Sequence, residues 1–117
     1  MRHQVKSKRV NRGEAHLDKM LRNLITSVIL YEKVKTTRAK AKIAMPILEK
    51  LLTSVKNDSI VANYRTLNAY LLDENASKKV VQELTTRYKD RNSGFTRLTN
   101  LGFRAGDAAP MVQIDLV

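Results

Sequence analysis

The sequence predicts an α+β fold: about four helices packed with a small three-stranded mixed sheet, preceded by a basic N-terminal arm. Three observations carry this reading. Between Glu14 and Tyr88 the apolar residues recur at helical spacing. Beyond Gly94 the period falls to two, as strands require. The first 13 residues hold Arg2, His3, Lys6, Lys8, Arg9 and Arg12 with no acid, and only Val5 and Val10 to anchor them. Such a stretch is expected to stay disordered alone and to order on a partner.

A chain of 117 residues with 43% hydrophobic residues can fill one modest core. The expected organisation is therefore an arm over residues 1–13 and one α+β domain over residues 14–117. With no cysteine, disulfides and the common structural zinc sites are excluded. No cofactor or metal is expected.

Each element has its own justification. Asn11, three residues before Glu14, resembles a capping box for the first helix. That helix sets Leu17, Met20, Leu21, Leu24, Ile25, Val28 and Tyr31 on one face, with Lys19, Arg22, Asn23 and Thr26 on the other. Lys33 to Thr36 is a short extended piece. Thr36 or Thr37 then caps a second helix, in which Ala39, Ile43, Ile47, Leu51 and Val55 recur at every fourth position. Pro46 removes a backbone donor in its middle and is expected to kink it. Asn57-Asp58-Ser59 closes this helix and caps a third, with Ile60, Tyr64, Leu67 and Leu71 as its inner stripe. Asp73-Glu74-Asn75 breaks the third helix, and a fourth from about Ala76 to Tyr88 buries Val80, Val81 and Leu84. Lys89 to Gly94 is a polar loop. Phe95 to Leu101 is a strand, and Val112, Ile114 and Leu116 alternate with Gln113 and Asp115 in another, with Gly102 to Pro110 as the loop between them.

Charge narrows the function. The chain carries 22 Lys and Arg against 11 Asp and Glu, a net charge of +11. Up to Lys42 there are 12 basic and 3 acidic side chains, so nearly all the excess lies in the first third. That asymmetry calls for a polyanionic partner. Apolar runs are too short to span a bilayer, and Leu21 to Leu30 is too interrupted for a signal peptide, so the expected location is cytoplasmic. A membrane-surface role is disfavoured because the best amphipathic helix uses its apolar face for the core.

The hairpin region is the most specific part of the sequence. Gly94-Phe95-Thr96-Arg97, Gly102-Phe103-Arg104-Ala105-Gly106-Asp107, Ala109-Pro110-Met111 and Ile114-Asp115-Leu116 together resemble the bacterial ribosomal protein family L-seventeen. Met1-Arg2-His3, Asn11-Arg12, His16, Met20, Arg22-Asn23, Glu32, Thr36-Thr37 and Lys40-Ala41-Lys42 agree with it in order and spacing. Gln4, Val5 and Ile43 depart from the residues common in that family. The resemblance implies a mixed α+β domain with a three-stranded sheet. It also implies a structural role in the large ribosomal subunit near the polypeptide exit tunnel, bound to large-subunit ribosomal RNA beside other ribosomal proteins.

Phosphate contacts made by Lys and Arg position a protein on RNA without reading its sequence. The candidates are Arg2, His3, Lys6, Lys8, Arg9, Asn11 and Arg12 in the arm, with His16, Arg22 and Asn23 on the first helix. Lys35, Arg38, Lys40 and Lys42 follow as a dense cluster, where cations at a helix start oppose the dipole unless an outside anion takes them. Arg97 and Arg104 complete the set. Two readings of Arg104 stand side by side, a bidentate phosphate clamp or a pair with Asp107. Gly102 and Gly106 suit positive-φ turn positions. Phe103 can either stack on an unpaired base or fold onto the hairpin's own core.

Other classes lack their signatures. His3, His16 and Glu32 are not joined by a nucleophile, a metal-spaced cluster or a phosphate loop, so no enzyme is expected and no small-molecule substrate. A free-standing RNA- or DNA-binding regulator is the alternative, but no helix-turn-helix signature supports it.

Overall fold

The computed structural model describes residues 13–57 and 59–117. Asp58 and the expected arm from Met1 to Arg12 lie outside the described residues; the N-cap of α1 is Gly13, one residue before Glu14 and without a side-chain capping bond, not the expected Asn11. In chain order come α1 (Glu14–Tyr31), β1 (Lys33–Thr37), α2 (Arg38–Ser54) and α3 (Ile60–Tyr70). A fourth helical stretch, α4, joins Glu74–Lys79, a π turn over Val80–Leu84 and a last turn over Thr85–Arg87. β2 (Thr96–Phe103) and β3 (Pro110–Leu116) close the chain as a hairpin.

The α+β expectation holds, with one change: the sheet is antiparallel throughout rather than mixed. Its order is β1-β3-β2, and β3 runs antiparallel to both neighbours. β1 and β2 are parallel to each other but never pair, because β3 lies between them. Val112, Ile114 and Leu116 point inward from β3 and are buried, while Gln113 and Asp115 point outward. α1 and α2 pack against this inner face, closing a core that contains Ile25, Ile29, Leu48, Val80 and Phe95.

Helix faces depart from the expected stripes for geometric reasons. On α1 the buried set is Leu21, Ile25, Thr26, Val28 and Ile29. At about 100° per residue, Tyr31 falls with Met20 and Leu24 on the flank of that stripe, and it is 72% exposed. Thr26 is buried instead of solvated; its hydroxyl donates to Arg22 O at 2.7 Å and accepts from Leu72 N at 3.3 Å. On α2 a strict four-residue repeat overshoots each turn by about 40° and winds off the core. The buried stripe is accordingly Ala41, Ala44, Leu48, Leu52 and Val55, whereas Ala39 is exposed. α2 runs through Pro46 as one element, and the carbonyl of Lys42 that loses its donor sits on an exposed residue. Thr37 is the N-cap, without a side-chain capping bond.

Ser59 caps α3 by accepting from Ala62 N, but Ile60 is 61% exposed and leaves the inner position to Asn63. The Asn63 amide donates to Asn57 O at 3.2 Å and fastens the turn before the helix. Asp73, expected only as a breaker, caps α4 by accepting from Asn75 N at 2.8 Å. In the π turn Thr85 N bonds to Val80 O. The Thr85 hydroxyl then donates to Val81 O at 2.6 Å, satisfying the carbonyl that the widened turn frees.

Polar side chains tie the layers together. Glu32 ends α1 in the left-handed region at φ 61°, with its N–H on Val28 O. Its carboxylate accepts two bonds from Arg87 at 3.0 and 2.9 Å and one from Lys79 at 2.9 Å. Its carbonyl accepts from Leu116 N at 3.0 Å. Lys79 also donates to Leu30 O. Glu49 of α2 accepts from Gly94 N, Thr96 N and the Thr96 hydroxyl, fixing the entry to β2. Lys56 donates to the carbonyls of Tyr88 and Arg91 and lies over the Phe95 ring. The Tyr88 hydroxyl donates to Val117 O at 2.9 Å, and burial raises the pKa of that hydroxyl.

The hairpin runs further than expected. A bulge between Asn100 and Gly102 lets pairing continue to Phe103 opposite Pro110, so the loop is only residues 104–109. Gly102 takes φ 98° at the bulge, and the left-handed residue of the loop is Ala108 at φ 54°, not Gly106. Arg104 donates to both carboxylate oxygens of Asp107, at 2.9 and 2.6 Å, and Ala109 N donates to the same carboxylate.

These ties can be tested at two positions. The Arg87 and Lys79 bonds hold the Glu32 pKa at about 2, so its stabilisation is present above the unfolded value near 4.5 and is lost as pH falls toward 2. Glu32→Gln is expected to destabilise the fold by about 1–2 kcal/mol at neutral pH, discounted for partial solvation. Urea unfolding at pH 7 and pH 2 checks this: the gap between variant and parent must shrink at the lower pH, and an equal gap at both contradicts it. Asp107→Ala removes the loop clamp and leaves the core untouched. Amide exchange at Ala109 should accelerate while the global unfolding midpoint stays put; a shifted midpoint contradicts this assignment.

Candidate nucleic-acid interface

The helices cover one face of the sheet, and the opposite face is built from alternate residues of each strand. One rung places Lys33, Asp115 and Arg97 side by side, and the next places Lys35, Gln113 and Thr99. Lys33, Lys35 and Arg97 are exposed, while Gln113 and Asp115 are half-buried between the outer strands. Asp115 accepts from the Gln113 amide at 2.8 Å. Three cations thus surround one carboxylate on a surface that has no role in the core. Lys33 was not among the expected site residues. Its signal was available, since it lies two positions from Lys35 in a strand and shares its face.

β1 leads straight into α2, so a second group of cations follows in the chain, on a helix that covers the other face of the sheet. Arg38 and Lys42 are exposed one turn apart, and Lys40 is half-buried between them in sequence. No acid occupies the first turn of α2. Like charges four residues apart on a helix repel, and cations at a helix start oppose the dipole. Both effects would be relieved by an external anion lying along β1 and the first turns of α2.

The structure gathers some candidates here and employs others elsewhere. Lys35 and Arg97 fall on this face, and Arg38, Lys40 and Lys42 follow β1 in the first turns of α2. Arg22 does not project freely from α1. It pairs with Asp18 at 2.9 Å, donates to Ala69 O at 3.0 Å and lies over the Tyr70 ring, fastening α1 to the end of α3. Asn23 is exposed beside it, and His16 is exposed in the first turn of α1. Arg104 is held by Asp107, so of its two readings the pair within the loop is the one present. That pair holds the Asp107 carboxyl at about 2, with the Ala109 N–H adding to the effect. Phe103 does not fold onto the hairpin's core: its ring is 76% exposed. The arm candidates Arg2, His3, Lys6, Lys8, Arg9, Asn11 and Arg12 lie outside the described residues.

Among the described residues no group of three or more His, Cys, Asp or Glu is placed to hold a metal ion. No described helix is long and apolar enough to cross a membrane. Glu32, the acid that had raised the question of proton transfer, is committed to Arg87 and Lys79.

Known proteins resemble the chain along most of its length. The family model described as ribosomal protein L17 matches residues 20–117. A protein of Desulforudis audaxviator strain MP104C named large ribosomal subunit protein bL17 is 46% identical over 102 residues, covering 87% of this chain and 90% of its own length. Proteins of the same name from Rickettsia bellii and Novosphingobium aromaticivorans are 38% and 41% identical over the whole chain, each match covering 82% of the relative.

Proposed function

The chain belongs to the ribosomal protein L17 family, and on that premise we propose that it is a structural constituent of the bacterial large ribosomal subunit. In this reading it resides in the cytoplasm, binds large-subunit ribosomal RNA beside neighbouring ribosomal proteins, and steadies the folded RNA during assembly near the polypeptide exit tunnel. It carries out no chemistry of its own and takes no cofactor.

The observation that carries the proposal is where the charge sits. The first 42 residues hold 12 of the 22 cations and only 3 acids, and those that are described lie largely on surfaces the core leaves free. Residues 1–13 would act as an arm following the RNA backbone through Arg2, His3, Lys6, Lys8, Arg9, Asn11 and Arg12. The domain from residue 14 onward would add His16, Asn23, Lys33, Lys35, Arg38, Lys40, Lys42 and Arg97. Arg22 and Arg104 would serve indirectly, by holding α1 and the hairpin tip in place. Phosphate neutralisation of this kind gives affinity through counterion release, and folded RNA supplies specificity through shape.

Two measurements test the reading. A tagged copy is expected to co-sediment with large subunits through moderate salt washes. Its confinement to the light fractions would sink the proposal and leave a free-standing regulator. Binding of the full chain to protein-free large-subunit RNA, measured across salt concentrations, should weaken steeply. Replacing Lys35, Arg38 and Lys42 together by Gln should flatten that dependence by about 0.7–0.9 in log–log slope for each phosphate no longer neutralised, with the fold intact. An unchanged slope would remove these three from the interface.

A further inference from the structure

Phe103 is the most exposed large apolar side chain among the described residues, at 76%. A ring in that position normally folds back or finds a partner, because leaving it in water forgoes the gain of burial. Here the backbone holds it out. Phe103 pairs with Pro110 on the last rung of the hairpin, one residue past the bulge that turns β2. Beyond that rung the loop is stiffened by its own hydrogen bonds. Arg104 N donates to Ala109 O at 2.9 Å and Ala108 N to Arg104 O at 2.8 Å, and the Arg104–Asp107 clamp spans the turn. None of these bonds reaches the core, so the loop's order serves the tip itself.

What surrounds the ring selects its occupant. Its neighbours in chain and register are Gly102, Arg104 and Pro110, all exposed, with Leu101 44% exposed two residues back. Gly102 adds no side chain next to the ring, so a flat group can approach it. Asp107, the loop's one acid, is neutralised by Arg104. The register puts Thr37 opposite Met111, one rung from Phe103. Arg38, the next residue of the chain, therefore starts α2 about two strand spacings from the ring, roughly 10 Å. That is the separation at which one nucleotide can set its base on a ring and its phosphate near a guanidinium.

We propose that Phe103 is a stacking platform for an unpaired base of the bound RNA, with Arg38 placed to meet the adjoining backbone. The inference rests on the RNA-binding reading above and deepens it. Phe103 would act through its π face, without any charge, at a point the basic sheet face does not cover. Stacking of this kind tolerates any base and depends little on salt, unlike the phosphate contacts of the same protein.

The test uses the full chain and protein-free large-subunit ribosomal RNA. Phe103→Ala is expected to weaken binding about tenfold, within the range for loss of one stacked base, and to leave the salt slope unchanged. Phe103→Leu should behave like the alanine variant, and Phe103→Trp should restore affinity. The chain has no tryptophan, so the last variant also carries its own reporter: stacking quenches its emission, while Leu72→Trp, an exposed site beside Thr26, should stay bright. Because the ring is outside the core, thermal unfolding of all the variants should match the parent. Full affinity in the alanine variant overturns the proposal. So does a bound Phe103→Trp chain whose emission changes only when ribosomal proteins are added, which would make the occupant a protein. If the parent chain itself fails to bind the RNA at any salt, the RNA-binding reading falls first, independently of position 103.

Discussion

At Glu32 the backbone leaves α1 in a left-handed turn, the carboxylate takes Arg87 and Lys79 of α4, and the carbonyl takes the amide of Leu116 in β3. One residue therefore sets the angle between the first helix and β1, the distance from α1 to α4, and the end of the central strand. The left-handed conformation costs a non-glycine residue about 1–2 kcal/mol, and the three charge-assisted bonds offset it. A glycine would ease the backbone but leave Arg87 and Lys79 without their partner. An asparagine would tolerate the turn but could not reach or neutralise two cations.

The placement of the acids also explains the basic surface. Glu32 is held by α4, Glu49 by the start of β2, Asp18 by Arg22, and Asp107 by Arg104. Asp73 caps a helix. Much of the negative charge is thus engaged by groups of the fold itself, several of them backbone amides that carry no compensating surface charge. Among the described residues, the cations of β1 and early α2 have no such assignments in the scaffold. They stand along a sheet face, where Asp115 offsets them only in part, and at a helix start whose first turn holds no acid. The scaffold thus ties α1, α3 and α4 internally and leaves most cations of β1 and early α2 exposed.

Much of this was legible in the residues. The switch from helical to alternating periodicity located the helices and the hairpin, and β1 and its flanking threonines were placed within one residue. The density of Lys35, Arg38, Lys40 and Lys42 marked the passage from β1 into α2, and the hairpin sequence pointed to the family. What escaped reading depended on tertiary partners. Thr26 looks polar, but it is buried because Leu72 N needs an acceptor. Ile60 looks like core, but it begins a helix whose inner positions fall at Asn63 and Leu67. The repeat on α2 fitted a period of four, whereas packing follows 3.6. Arg22 looked like a free cation because its acceptor Ala69 O is assigned only by three-dimensional placement, and for Arg104 that placement decides between two readings in favour of Asp107. Nor does anything local in Val80 to Leu84 announce a π turn, since the segment holds neither glycine nor proline.

If the face formed by β1, the outer sheet and the start of α2 is the one covered in the large subunit, its lysines must lose their reactivity there. Lysine acetylation of the free chain and of the chain within purified large subunits, read residue by residue, tests this most directly. Lys33, Lys35 and Lys42 should react readily in the free protein and be strongly protected in the subunit. Their protection should exceed that of Lys78 on α4 and Lys89 in the loop after it, both exposed. If Lys33, Lys35 and Lys42 react as fast in the subunit as they do free, that face is not the interface and the account is wrong.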